Sequence, residues 1–487
     1  SFKVGFDDDD WPDIGALEEK QVTSLAVGAS KTLEFTYTAN SGDEYWFMAD
    51  TDEGITESNE NNNTDTITVT LATIVIPDVT VTGMVKLTDS SYSVTEYYMT
   101  SGSAIYMEVT DPDRNADSSA ADSISVSITS DTEAAGNVTE SSTLTETGAN
   151  TGIFRGSIDI DVGGAASSNS VLSVTPADYI TLTYNDPYND WGNAVSVETK
   201  AIIVGTVVSG DISSVTNWNV AESPYLITQS ITINNILNID AGVHVLLKKL
   251  DDGNRVYLNV SYNGALNASG VSGNPVVFKS SATDPEKAYW GHIRFEQVYK
   301  DSTLTYCEIS HAETAISIDY NSGDSVTINN CTITQNNRGI YSEGSSPTIS
   351  SNTIKDNNSP IYINQGAPVI SGNSFTENIE PIYLQQTKAS FTNNTVENNA
   401  STGINVNGNN GNRPSIEYDV IKNNNGYGIQ LNRQGGDLKG NTITNNSNSG
   451  VYYRNQDQYG STFPLITENS ITDNNSYGIS LQGCPTC

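Results

Sequence analysis

Three apolar positions recur in register eight times over about the last 185 residues. The middle one falls on Ile309, Ile333, Ile354, Phe375, Val396, Ile421, Ile443 and Ile471. Five residues before each of these anchors stands another: Leu304, Ile328, Ile349, Ile370, Phe391, Ile416, Leu438 and Ile466. Seven or eight residues after it comes a third: Ile316, Ile340, Ile361, Ile382, Ile404, Ile429, Val451 and Ile479, each preceded by Gly, Pro or Ala. Between these points lie short β-type runs split by Asn, Gly and Ser clusters. No stretch is long enough for an amphipathic helix. A repeat of this length predicts a solenoid. Leucine-rich repeats have similar periods but need Leu, which is scarce here. The pattern therefore predicts a right-handed parallel β-helix, one repeat per coil, with coils about 4.8 Å apart.

Two polar columns support the register. Two residues before the anchors stand Cys307, Cys331, Asn352, Asn373, Asn394, Asp419, Asn441 and Asn469. Three residues after them stand Ala312, Asn336, Asn357, Asn378, Asn399, Asn424, Asn446 and Asn474. Asn tolerates left-handed backbone, so these are expected at the corners, their amides bonded up and down the solenoid. Cys307 and Cys331 fall on adjacent rungs of one column, with Cα atoms roughly 5 Å apart. A buried thiol pair and a disulfide both fit. Tyr341, Tyr362, Tyr383 and Tyr452 each follow the third apolar position. They are expected to stack, either as a stabilising ladder or as a platform for sugar rings.

These units, of the form N-x-[IVF]-x-x-N-x-x-x-G-I, resemble the β-helix repeats of carbohydrate-binding proteins and sugar hydrolases. That resemblance implies the fold over residues 300–487 and leaves activity open, because the fold hosts enzymes, adhesins and inert stalks. Residues 206–300 look like the irregular entry coils of such proteins. The charges along the coils include Arg338, Glu343, Lys355, Lys388 and Lys422. Asp356, Glu377, Asn398 and Asn423 share one position, two residues after the anchor. A mixed acid and amide column reads as a solvated turn, and no catalytic pair emerges from it.

The front half is also β-patterned. In residues 1–72, Gly28-Ala-Ser-Lys-Thr-Leu33-Glu-Phe35 and the acidic stretch from Ala49 to Asn62 resemble the cell-adhesion-related domain of bacterial and archaeal surface proteins, an immunoglobulin-like sandwich. The family's first two strands have no counterpart here. In residues 73–205, Val109-Thr-Asp111-Pro-Asp113, Leu144-Thr-Glu146-Thr-Gly148 and Ile180-Thr-Leu-Thr-Tyr184 resemble the repeated sandwich domains of prokaryotic surface-layer and filament proteins. The expected architecture is all-β: two immunoglobulin-like β-sandwich domains, then entry coils 206–300 and a regular right-handed parallel β-helix 301–487.

Composition narrows the function. With 58 acidic and 22 basic residues the net charge is −36, which argues against nucleic acid and anionic membrane as partners. No apolar run reaches membrane-span length. The polar, Asn- and Thr-rich chain with 25 Tyr suits a secreted or cell-surface protein. An acidic extracellular chain suits Ca²⁺. Asp111, Asp113, Asn115, Asp117 and Asp122 occupy positions 1, 3, 5, 7 and 12 of a calcium-loop spacing, although Ala116 replaces its glycine and the flanks read as strands. Cys484 and Cys487 are expected to form a local or intermolecular disulfide, and N-x-S/T sequons mark Asn62, Asn137, Asn259 and Asn267 for glycosylation. The chain begins inside a sandwich domain and stops on a complete rung. It is either part of something longer or completed at its ends by neighbours through strand donation, which would give a homopolymer. The leading expectation is a non-enzymatic structural or adhesive subunit of a surface filament, sheath or surface layer, acting through self-association or other surface proteins. The alternative is a secreted polysaccharide-active or carbohydrate-binding β-helix.

Overall fold

The computed structural model describes residues 2–7, 18–22, 33, 44–49, 64–68, 81–250, 253–320, 326–409, 411–454 and 463–482. The chain divides into two units, Ser1–Thr80 and Val81–Cys487. In the first, four antiparallel strands run in the order Glu18–Val22, Phe2–Asp7, Glu44–Ala49, Thr64–Thr68. The acidic stretch 50–62, with Asn62, lies outside the described residues, as do Cys484 and Cys487.

The second unit opens with nine strands hydrogen-bonded into one sheet, from Met84–Thr88 to Val195–Val204. Alternating residues of these strands point inward, as in Ser123–Ser130, where Ile124, Val126 and Ile128 are buried. They close on a core with Leu87, Met107, Phe154 and Leu182. Its loops are fastened by carboxylates that accept backbone N–H groups. Glu146 takes those of Thr151, Gly152 and Asp122, Glu140 those of Asn169 and Ser170, and Asp178 those of Thr132 and Thr175. Much of the local acidity is thus structural.

The last of these strands passes through Gly205 into the first strand of the solenoid, Thr206–Val208. Ile202 and Val204 pack against Leu226 and Leu246 on the outside of the first coils. Lys248 pairs with Glu96 at 3.3 Å, and the Tyr179 hydroxyl donates to the Ala282 carbonyl at 3.1 Å.

The solenoid has three parallel sheets of 11, 12 and 11 strands. We name them by the apolar column each carries. The leading sheet holds Leu304, Ile328 and their equivalents, the anchor sheet Ile309 and Ile333, and the trailing sheet Ile316 and Ile340. All three columns are buried in one core that runs from Ile212 to Tyr453, and on the last described coil Ile466 and Ile471 are partly buried and Ile479 is exposed. Residues 206–300 contribute coils to the same three sheets, with corner loops of uneven length. Longer corner loops obscure their period in the sequence, although Asn217, Asn238 and Asn267 stack amide to amide on successive coils of the leading sheet.

The Asn columns are buried, but their backbone differs from expectation. Left-handed conformation belongs to the residue before each ladder position. One such column is Tyr306, Asn330, Ser351, Gly372, Asn393, Tyr418, Gly440 and Glu468. The other is His311, Gln335, Asp356, Glu377, Asn398, Asn423, Asn445 and Asp473. That residue turns the corner with its side chain outward, and the next one points its amide into the bend. Asn378 shows the resulting pattern. Its Nδ2 donates to the carbonyls of Ile354 and Thr376 and to Asn399 Oδ1, at 2.9, 3.0 and 3.1 Å. Its Oδ1 accepts from the Asn357 backbone N–H at 3.0 Å and the Asn357 amide at 3.2 Å. Each coil so satisfies the corner of the one before it.

Cys307 and Cys331 continue this ladder as free, buried thiols rather than as a disulfide. Cys331 Sγ accepts from the Cys307 N–H at 3.3 Å and donates to the Leu304 and Asn329 carbonyls at 3.4 and 3.2 Å. The sulfur stands in for an Asn amide, and burial pushes the Cys307 thiol pKa up.

Candidate binding face on the trailing sheet

The three sheets differ in what they show to solvent. Outward positions of the anchor sheet are mostly hydroxyl residues: Thr332 and Thr334, Thr353, Ser374 and Thr376, Thr395, Thr442 and Thr444. The leading sheet is similar, with Thr327, Thr348, Ser350, Ser371, Ser390 and Thr392. Such residues favour a pleated surface and need no further role.

The trailing sheet carries two columns of larger groups. One runs Ser317, Tyr341, Tyr362, Tyr383, Asn405, Gln430, Tyr452. Two residues on, the other runs Asp319, Glu343, Asn364, Gln385, Asn407, Asn432, Arg454. His292, Arg294 and Glu296 lie on the preceding strand. Alternation within each strand sends these side chains out and their Ile, Leu and Val neighbours into the core.

At one end Asp319 and Glu343 sit opposite each other on adjacent coils. Asp319 accepts from Arg294 Nε at 2.6 Å and from the Ser317 hydroxyl at 3.1 Å. Glu343 accepts from the hydroxyls of Tyr341 and Tyr320 and from Asn364 Nδ2, the last at 2.8 Å. Burial and the Glu343 carboxylate hold the Tyr341 hydroxyl protonated, well above the usual phenol range. His292 stacks on Tyr257 with ring centres 5.2 Å apart. Burial, then the Arg294 charge, lowers its pKa, so the ring is neutral at pH 7.

The Tyr column does not form an open platform. Tyr341 and Tyr362 stack at 5.6 Å and 14°, Tyr362 and Tyr383 at 5.7 Å and 48°. Arg338 lies 5.3 Å over the Tyr341 ring. The faces are spent on one another, so the column presents edges and hydroxyls. Tyr452 follows three coils later and stacks on Tyr427 at 4.5 Å. Beyond Tyr383 the surface is built of amides. Asn432 donates to Asn405 Oδ1 at 3.0 Å, and Asn407 Oδ1 is enclosed with no partner among the described residues.

The remaining expected sites behave differently. Glu377 and Asp356 turn corners and pair with Lys355 and Lys287 at 3.1 and 3.0 Å. They are surface ion pairs, as expected of a solvated column. The calcium-spaced loop forms a hydrogen-bonded turn instead of a ligand shell. Asp111 accepts from the Tyr184 hydroxyl and the Asp113 N–H. Asp113 accepts from the Val81 N–H, and Asp122 from those of Ala116 and Asp117. Asp117 holds Ser119, and the Asn115 amide bonds to Asn150. Among the described residues no three His, Cys, Asp or Glu side chains gather closely enough to hold a metal ion. Asp113 Oδ1 and Asn115 Oδ1 are enclosed without a partner among the described residues, and calcium there stays a proposal that an unchanged melting temperature in excess chelator would reject. A rise of several degrees on adding Ca²⁺ would show that the loop reorganises around it. Of the sequons, Asn137 is exposed in a turn. Asn259 and Asn267 sit within solenoid strands, and Asn267 Nδ2 is engaged by Asn238 at 3.0 Å.

Comparison with known proteins agrees with this architecture. Residues 291–439 match the family described as right-handed β-helix region. They form a right-handed β-helix. Residues 3–67 match the CARDB family, the cell-adhesion-related immunoglobulin-like domain. No curated protein matches the chain. Solved structures similar to it include the periplasmic alginate epimerase AlgG, at 13% identity over 53% of this chain and 77% of that one, TM-score 0.28. Another is the Dettilon tailspike protein, at 13% identity over 53% and 62%, TM-score 0.31. A third is Dex49A from Penicillium minioluteum, at 11% identity over 79% and 76%, TM-score 0.18. No helix among the described residues is long and apolar enough to cross a membrane.

The Tyr column and the charges Arg338 and Glu343 were readable in the sequence. His292, Arg294, Asp319 and the amide column were not singled out. For Asp319 and the amides the signal was present as the position three residues after the third apolar residue, where acid and amide side chains recur.

Proposed function

We propose that this chain is an extracellular adhesive protein whose β-helix is a rigid rod and whose trailing sheet binds a polysaccharide lengthwise. The reading rests on the contrast between sheets. Only the trailing sheet, among the described coils, carries an in-register run of carboxylate, phenol, guanidinium and amide groups. A repeating line of donors and acceptors, one set per coil, is complementary to a polymer with repeating hydroxyls. Asn405, Gln430, Asn407 and Asn432 supply outward amides, one pair per coil, at this end of the run. Asp319 and Glu343 are each engaged by side chains of their own face. That favours holding a sugar over transferring protons to it.

The test is titration of the full chain with soluble neutral and uronate-containing polysaccharides, followed by calorimetry. Asn407→Ala and Tyr383→Ala should each weaken binding by about tenfold, the loss of one hydrogen-bonded contact. Variants that bind as the parent does, or a parent that binds none of the panel, would reject the reading.

A further inference from the structure

Asp419 interrupts the second-residue ladder. It lies between Asn394 and Asn441 and is 1% exposed. Its Oδ1 does what an Asn oxygen does, accepting from the Asn394 backbone N–H at 2.6 Å and the Asn394 amide at 3.0 Å. Its Oδ2 therefore occupies the place of the amide nitrogen. At the equivalent positions that nitrogen donates to the carbonyl of the preceding coil, from Asn394 to Ile370 at 3.0 Å and from Asn441 to Ile416 at 2.8 Å. In the Asp419 coil the corresponding carbonyl is that of Phe391. The carbonyl of Glu417, two residues back, and the next rung's Asn441 Oδ1, which already accepts the Asp419 N–H at 2.9 Å, are the other groups a ladder amide reaches. All three are acceptors, and Asp419 Oδ2 is buried without a hydrogen-bond donor among the described residues.

We propose that Asp419 is a proton-holding rung: its neutral carboxyl donates from Oδ2 to one of these acceptors, and loss of that proton in mildly alkaline solution loosens the β-helix between the coils of Val396 and Ile443. An ionised Oδ2 would face lone pairs from both sides with no donor and no water. The nearby charges do not rescue it. Glu417, outward on the same coil, opposes ionisation. Lys439 stands opposite Glu417 on the next coil, and Lys422 is paired with Glu397 at 3.0 Å. Burial raises the Asp419 pKa to about 8 despite the bonds from Asn394.

The sign follows from linkage. Below about pH 4 the carboxyl is protonated in both the folded and unfolded chain. Between there and about pH 8 only the unfolded chain releases the proton, so stability falls through this window and then levels off. Asp419→Asn restores the ladder donor and removes the titration. The experiment compares hydrogen exchange of peptides covering 391–446 in the full-length parent and Asp419→Asn. At pH 4.5 the two should agree within about threefold. At pH 8.5 the parent should open at least about a hundredfold more often, each pH unit in the window contributing up to tenfold. A ratio that does not change with pH, or a variant that is less protected than the parent at pH 8.5, would overturn the proposal. Glu417→Gln should leave a pH-dependent ratio in place, levelling off at slightly lower pH and at a smaller value because it eases ionisation of Asp419; if it abolished the dependence, Glu417 and not Asp419 would be the titrating group.

Discussion

Asn378→Ala lowers the stability of the β-helix by about 4 kcal/mol, whereas Glu377→Ala, one residue earlier, changes it by about 1 kcal/mol or less. Asn378 accepts two N–H groups of Asn357 and fills three acceptors, of which the Ile354 carbonyl and Asn399 Oδ1 lie in buried positions. Alanine leaves donors and acceptors in two coils unmet where water cannot reach, and each costs about 1–3 kcal/mol. Glu377 lies outside the bend, so its loss removes only an exposed pair with Lys355. Urea unfolding followed by far-ultraviolet circular dichroism gives the difference. Because a solenoid responds locally, hydrogen exchange should show the damage concentrated in the coils on either side. Equal effects at 377 and 378 would mean that the ladder is not what holds the corners.

The second large effect is at Gly366. Its φ of +71° is left-handed, and a Cβ there would stand 1.9 Å from the Ser345 carbonyl oxygen of the previous coil. Gly366→Ala therefore strains its own backbone and pushes two rungs apart, and the expected loss is about 3 kcal/mol. The Gly366 carbonyl also accepts from the Lys388 N–H at 2.8 Å and the Thr387 hydroxyl at 3.0 Å. The disturbance should reach the coil after as well as the coil before. Gly411, also left-handed but with open space around it, is the control. Alanine there should cost only the conformational strain, about 1 kcal/mol. If the two variants lose equal stability, close coil packing at Gly366 is not the cause.

Legibility differed between levels of structure. The apolar columns were plain, because every coil must bury three side chains at nearly fixed intervals. The Asn columns and their amide bonding along the solenoid were equally plain. Their backbone was assigned one residue too late, since the sequence shows which residues repeat and not which of two neighbours turns the corner. Tyr306, Tyr418 and Glu468 turn corners although none is a typical left-handed residue. The bonds made by the residue that follows offset their strain. Residues 206–300 were readable as coils but not in register, because loops of varying length break the period.

The candidate binding face shows the same division. The sequence by itself determined that the chain is all-β, that its second half is a stacked solenoid, and that large polar groups recur beside the third apolar column. These follow from local alternation and from a repeat that only one kind of stacking can satisfy. Tertiary structure alone decided which outward residues share a sheet, that the Tyr rings face one another, that Arg294 reaches Asp319, and that the calcium-spaced acids fasten backbone instead of meeting. Those depend on loops of unequal length bringing distant residues together. It also decided the state of Asp419. Its column marks it as one more rung, but only enclosure between two acceptors makes its proton part of the fold.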